Sequence, residues 1–143
     1  MVTRLRDKGW PDIVANSVVG QLLELQIIDD RRFARDWVRY RDRLRPSGEW
    51  LLRHELEEKG LDKRIVDDSL AMRQTPEWFE EIGLRWDGRK IDALLCEQVV
   101  AARSRRMTDI DEEKRRSRLV GLLARRGFQP GDIFPTLRLP SPE

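Results

Sequence analysis

The stretch Leu56-Glu57-Glu58-Lys59-Gly60-Leu61-Asp62 reads as the end of one helix and the start of the next. Leu56 is an apolar residue for the last turn, and Lys59 places a cation at the negative end of the helix dipole. Gly60 supplies the left-handed turn that follows a helix end, and Leu61 can pin the incoming helix against the outgoing one. Asp62 is a helix-capping residue type, set just ahead of Ile65 and Val66. The same order recurs on either side. Leu5-Arg6-Asp7-Lys8-Gly9-Trp10 precedes Ile13 and Val14, and Leu123-Ala124-Arg125-Arg126-Gly127-Phe128 precedes Ile133 and Phe134. Each copy is Leu, two residues, a basic residue, Gly, then a large apolar residue. The glycines stand 51 apart (Gly9 to Gly60) and then 67 apart (Gly60 to Gly127), so the last spacer is 16 residues longer. These copies support one helix-turn-helix unit used three times.

Helical periodicity extends outward from the turns. Val14, Val18, Leu22 and Leu25 share a face and predict a helix over about 12–25. Asp29 or Asp30 can cap a following helix, in which Phe33, Trp37, Tyr40 and Leu44 fall on one face expected to enter the core. Pro46-Ser47-Gly48 breaks the chain before a helix over about 49–59. Asp62 caps a fourth helix carrying Ile65, Val66, Ser69 and Leu70, and Thr75-Pro76 starts a further one. Ile91, Leu94, Leu95, Val99 and Ala102 mark another. Thr108 with Asp111 resembles a capping box for the helix of Leu119, Leu122 and Leu123. No stretch alternates with period two, so no sheet is expected and the fold class is all-α.

Composition narrows the function classes. Charged residues make up 38% of the chain, which leaves a thin core and suits an elongated helical array. Lys plus Arg is 28 against 26 for Asp plus Glu, a net charge of +2 that argues against a protein held to nucleic acid by bulk charge alone. Cys96 is the single cysteine and is expected buried on a helix face, and with the single His54 it cannot make an ordinary zinc site. No phosphate-binding Gly-rich loop is present, and no carboxylate stands in an apolar setting that would raise its pKa. No catalytic residue, metal or cofactor is therefore expected. No apolar run is long enough for a membrane span, so a cytoplasmic protein without a membrane partner is expected.

Taken together, 28–70 resembles the central repeat of the RecX regulatory proteins. The resemblance rests on Ile28-Asp29-Asp30-Arg31-Arg32-Phe33-Ala34, followed by Leu56, Lys59 and Gly60 at the turn. Leu123, Arg126, Gly127 and Phe128 are similar to the family's last repeat, and Lys8-Gly9 with 13–25 resembles the end of its first. The chain departs from the family over 1–28, which reads as a truncated first repeat. It departs again over Glu77 to Met107, where Trp78, Trp86 and the loop Trp86-Asp87-Gly88-Arg89 stand in place of a shorter linker and helix. The resulting division is 1–28, a central repeat at 29–74, and a third repeat with an extended first part at 75–143.

The resemblance implies tandem three-helix repeats in an elongated, curved array. It implies a protein that binds the RecA filament on single-stranded DNA and restrains the filament's ATPase, growth and strand exchange, with a weak contact to that DNA. An open array with polar ends is expected to be a monomer, and a sequence without a catalytic constellation is expected not to be an enzyme. A helical DNA-binding module and an adaptor for another protein stand as alternatives. Two basic groups are the candidate partner-binding surfaces. Arg32, Arg35, Arg39 and Arg43 fall within about 80° of one another on one helix. Arg103, Arg105, Arg106, Arg115 and Arg116 form the second, interrupted by acids with which they can pair. Among the five Trp residues, Trp37 is expected in the core and Trp10 at a repeat turn, while Trp50, Trp78 and Trp86 can be buried or can anchor an interface.

Overall fold

The computed structural model describes residues 12–138 of the chain. The described residues are helical and contain no strand. Seven helices follow one another: α1 (Asp12–Leu44), α2 (Glu49–Glu58), α3 (Lys63–Met72), α4 (Pro76–Ile82), α5 (Ile91–Ser104), α6 (Glu112–Arg125) and α7 (Pro130–Leu137). Helix α3 packs on α1 and α2, and α5, α6 and α7 pack on one another, while α4 lies against α1. Two three-helix units thus stand in tandem, with α4 and the loop after it between them.

The repeated turn has the same hydrogen bonds in both described copies. Leu61 N–H donates to the Leu56 carbonyl at 3.4 Å, and Gly60 N–H to Glu57 at 2.9 Å; Phe128 N–H donates to Leu123 at 3.1 Å, and Gly127 N–H to Ala124 at 3.0 Å. Gly60 and Gly127 sit at φ of 81° and 86°, where a side chain would be strained. This is the Schellman arrangement, in which carbonyls orphaned at the helix end are satisfied as the chain reverses. The first copy, Leu5 to Trp10, lies outside the described residues. A further copy that the repeat pattern missed closes α4: Leu84 N–H donates to Phe79 at 2.8 Å and Gly83 has φ 80°. Phe79 replaces Leu there and Ile82 replaces the basic residue, which hid it.

The core follows from the turns. Leu52 and Leu56 on α2 match Leu119 and Leu123 on α6, each pair four residues apart and buried. Val66 and Leu70 on α3 correspond in the same way to Ile133 and Leu137 on α7. Burying each such side chain contributes about 1.5–3 kcal/mol.

Three expectations need correction. The break expected at Asp29-Asp30 does not occur, and both residues lie inside α1, a helix of 33 residues and about 50 Å. No Pro or Gly stands between Gly20 and Pro46, so nothing there ends the helix. The face of α1 that enters the core is also rotated. Ala34, Val38 and Asp42 are buried, whereas Phe33, Tyr40 and Leu44 are exposed and Trp37 is half-buried. The small residues allow α3 to come close, and the aromatic ones would hold it away. Leu22 and Leu25, expected on an apolar face, are exposed too. Finally, Asp111 itself caps α6, accepting from Lys114 N–H at 2.9 Å, and Thr108 lies in the preceding turn.

The two units meet backbone to backbone. Gly48 N–H donates to the Arg126 carbonyl at 2.8 Å. A Cβ on Gly48 would lie 2.2 Å from the Gly127 carbonyl oxygen, and one on Gly127 would lie 2.4 Å from Leu51 Cβ. Beside this contact a buried ion cluster crosses the junction. Arg73, at the end of α3, donates to Asp42 Oδ2 at 3.0 Å and Oδ1 at 2.9 Å, and its guanidinium lies 3.1 Å from Asp92 Oδ1 on α5. Trp78 Nε1–H donates to Asp42 at 2.9 Å, and Asp92 Oδ2 accepts Glu49 N–H at 2.9 Å. Burial works to lower the Arg73 pKa, and the carboxylates of Asp42 and then Asp92 outweigh it, holding the guanidinium above its ordinary range.

Candidate functional site

The α1 arginines do not form a free stripe. Arg35 and Arg39 reach the Glu81 carboxylate on α4, at 3.5 and 2.6 Å, and Arg43 donates to the Glu81 backbone carbonyl. Arg39 also pairs with Asp36 at 3.0 Å and lies 5.9 Å from the centroid of Trp78. Three of the four arginines therefore fasten α4 to α1. Arg32 is exposed and has no side-chain partner among the described residues. Sequence spacing could group these residues on one face but could not reveal that α4 lies over it.

The second group divides. Arg115 and Arg116 both pair with Glu112 within α6, so internal pairing takes much of their charge, as their acidic neighbours suggested. Arg105 turns back to the Ala101 carbonyl at 3.3 Å. Arg103 and Arg106 come together with Arg126, Leu44 and Pro46 around a cavity of about 340 Å³. Among the described residues no hydrogen bond or ion pair joins this group to the α1 stripe.

Other candidate residues have plain structural places. Trp78 and Phe79 are buried, whereas Trp50 is 52% exposed and stacks on His54 with centroids 4.5 Å apart. Trp86 packs edge-on against Phe79 at 4.8 Å, and Trp10 lies outside the described residues. Lys59, the basic residue of the turn, sits 4.3 Å from the Trp37 centroid, a cation–π contact added to its dipole role. Cys96 is buried as expected, and burial pushes its thiol up, so it is a poor nucleophile.

One carboxylate departs from expectation. Asp132, half-buried at the start of α7, has its pKa raised by burial first and by Asp92 second, with Lys90 opposing. Asp132, Asp92 and Lys90 share a cavity of about 580 Å³ with Trp50 and Arg53. Among the described residues no group of three or more His, Cys, Asp or Glu is placed to hold a metal ion, and no helix is long and apolar enough to cross a membrane.

Comparison with known proteins joins these features to a lineage. The family described as RecX, second three-helix domain, matches residues 29–70. The chain is 35% identical over 136 residues to Regulatory protein RecX of Mycolicibacterium vanbaalenii, covering 91% of this chain and 66% of that one. It is 32% identical over 126 residues to the Mycolicibacterium smegmatis protein of the same name, covering 88% and 62%. It is 31% identical over 136 residues to that of Prosthecochloris aestuarii, covering 94% and 77%. The chain thus spans slightly less than two thirds of the length of the two mycolicibacterial relatives. A solved structure titled "Crystal structure of regulatory protein RecX" superposes with a TM-score of 0.61 at 23% identity, over 96% of this chain and 61% of that one, a likeness of fold.

Proposed function

The chain belongs to the RecX family, and from that premise we propose that it is a regulator which binds the RecA filament on single-stranded DNA and restrains its ATPase, growth and strand exchange. The observation that carries this reading is the match of residues 29–70 to the family's second three-helix domain, together with relatives named regulatory proteins over most of the chain. On this reading it acts as a monomer in the cytoplasm, in recombination and repair, without a catalytic residue or cofactor of its own. The repeats run 29–74 and 75–143, with α1 continuous across the boundary at 28/29 and α4, at the start of 75–143, fastened to the central unit.

The arginines contribute unequally in this reading. Arg32 and Arg106 are exposed and offer their guanidinium groups to a partner. Arg35, Arg39 and Arg43 act mainly by holding α4, and Arg115 and Arg116 are half-neutralised by Glu112. Any contact with single-stranded DNA is secondary and weak, because the net charge of +2 supplies little general attraction.

The test is RecA ATPase on single-stranded DNA, with the chain titrated from substoichiometric to equimolar amounts, before and after filament assembly. The expected outcome is a dose-dependent fall in rate with no matching affinity for the DNA alone. An unchanged rate at every dose would sink the filament reading. A fall that tracks affinity for free DNA would favour a DNA-binding module instead.

A further inference from the structure

Five arginines from both three-helix units line one cavity of about 330 Å³ at the junction. Arg41 comes from α1, Arg45 from the loop after it, Arg103 from α5, and Arg125 and Arg126 from the end of α6. The one carboxylate in the lining, Glu55, is already occupied. It takes Arg41 through both oxygens and also accepts Trp37 Nε1–H at 3.2 Å. Arg126 donates to the Pro46 carbonyl at 3.2 Å. Arg45, Arg103 and Arg125 have no side-chain acceptor among the described residues. Burial first, and then the nearby Arg103, Arg45 and Arg41, lower the pKa of Arg126. Several arginines elsewhere close on a carboxylate, at Asp42, Glu81, Glu97 and Glu112. Here they face an open space.

We propose that this cavity is an oxyanion site that takes a phosphate group, and that the bound phosphate ties the two three-helix units together. Guanidinium forks match phosphate oxygens two at a time, and a tetrahedral phosphate can accept from several directions at once. Size favours phosphate over an acidic peptide. The cavity has room for roughly ten waters, enough for a phosphate and its hydration and too little for a peptide segment with several carboxylates. A neighbouring cavity of about 340 Å³ shares Arg103 and Arg126 and adds Arg106, so a second phosphate along a chain finds a cation as well. The ligand is thus a free phosphate or a phosphodiester of nucleic acid, which share this chemistry. The site does not depend on the filament reading, since it follows from the junction alone.

The experiment compares thermal unfolding of the full chain in inorganic phosphate, sodium chloride and sodium glutamate at one ionic strength, for the wild type, Arg45→Gln and Arg103→Gln. Neither side chain has an acceptor to lose among the described residues, so both variants fold, and in chloride they melt at or above the wild-type temperature. Phosphate stabilises proteins in general through exclusion from their surface, so the reading is the difference between wild type and variants. A phosphate gain of several degrees in the wild type that disappears in both variants supports the site. Equal gains in all three proteins, or an equal wild-type gain in glutamate, overturn it. A labelled oligothymidylate then distinguishes the two sources. Binding weakened at least tenfold by Arg103→Gln assigns the site to nucleic acid, and a phosphate effect without oligothymidylate binding assigns it to a free phosphate.

Discussion

Gly60 and Gly127 occupy the same place in two copies of one turn, at φ of 81° and 86°, yet their surroundings differ. Around Gly60 a Cβ would meet nothing within 4 Å, whereas at Gly127 it would meet Leu51 Cβ at 2.4 Å. Gly60→Ala should therefore lose only the left-handed backbone preference, about 1–2 kcal/mol. Gly127→Ala should lose that and a further ~1–3 kcal/mol for the displaced Leu51 backbone. Urea unfolding of the two variants measures the difference, and equal losses would contradict the close approach. The turn residues were legible in the sequence because a positive φ leaves a glycine behind at fixed distance from Leu56 and Leu123. The second duty of Gly127 was not, since its partner Leu51 lies 76 positions earlier (127 minus 51).

At the scale of an element, α4 is a seven-residue helix tied down by a charge as well as by its core residues. Trp78 and Phe79 are buried, and Glu81 gathers Arg35, Arg39 and Arg43. Glu81→Ala should cost about 1 kcal/mol or less overall, as partly exposed ion pairs do. It should speed amide exchange in α4 while α2 and α3 keep theirs; acceleration spread evenly over the chain would show that Glu81 does not serve α4 in particular. The same element shows where sequence reading stopped. The helix ends at Pro46, Pro76 and the glycine turns were readable, whereas the expected break at Asp29-Asp30 lies inside the continuous α1. The phase of α1 was not, because periodicity weights Phe33, Tyr40 and Leu44 by hydrophobicity, while the packing selected the small Ala34 and Val38. Nothing in the spacing marks Asp42 for burial, because Arg73, which makes its burial tolerable, stands 31 positions away. The basic faces could be located from spacing, but their pairing with Glu81 and Glu112, and the meeting of Arg45 with Arg103, are products of tertiary placement.

For the molecule as a whole, the junction predicts how the chain unfolds. Repeat arrays lose cooperativity when the interface between neighbours is weak. Here the interface includes a direct backbone hydrogen bond, and the Asp42–Arg73–Asp92 cluster draws on both units, so the two units should unfold together. Trp37 and Trp50 lie in the central unit, Trp78 in α4 and Trp86 in the loop after it, and no Trp lies in α5, α6 or α7. Fluorescence therefore does not sample the second unit's helices, whereas far-ultraviolet dichroism reports every helix. The two signals should trace one denaturation curve for the wild type. In Gly48→Leu, whose side chain would collide with the Gly127 carbonyl, they should separate into two. Separate curves already in the wild type would show that the ion cluster and the shared hydrogen bond couple the units too weakly to matter.

That junction has a mechanical consequence. Contacts carried by side chains can be retuned by a rotamer change or a methyl group, but bare peptide units at Gly48 and Gly127 have no such adjustment. The interval from one unit to the next is thereby held like the tooth spacing of a rack. A partner whose own surface repeats at a constant interval would meet a counterpart that keeps step with it, and a partner with a different interval would have to deform itself or break the contact between Gly48 and Gly127.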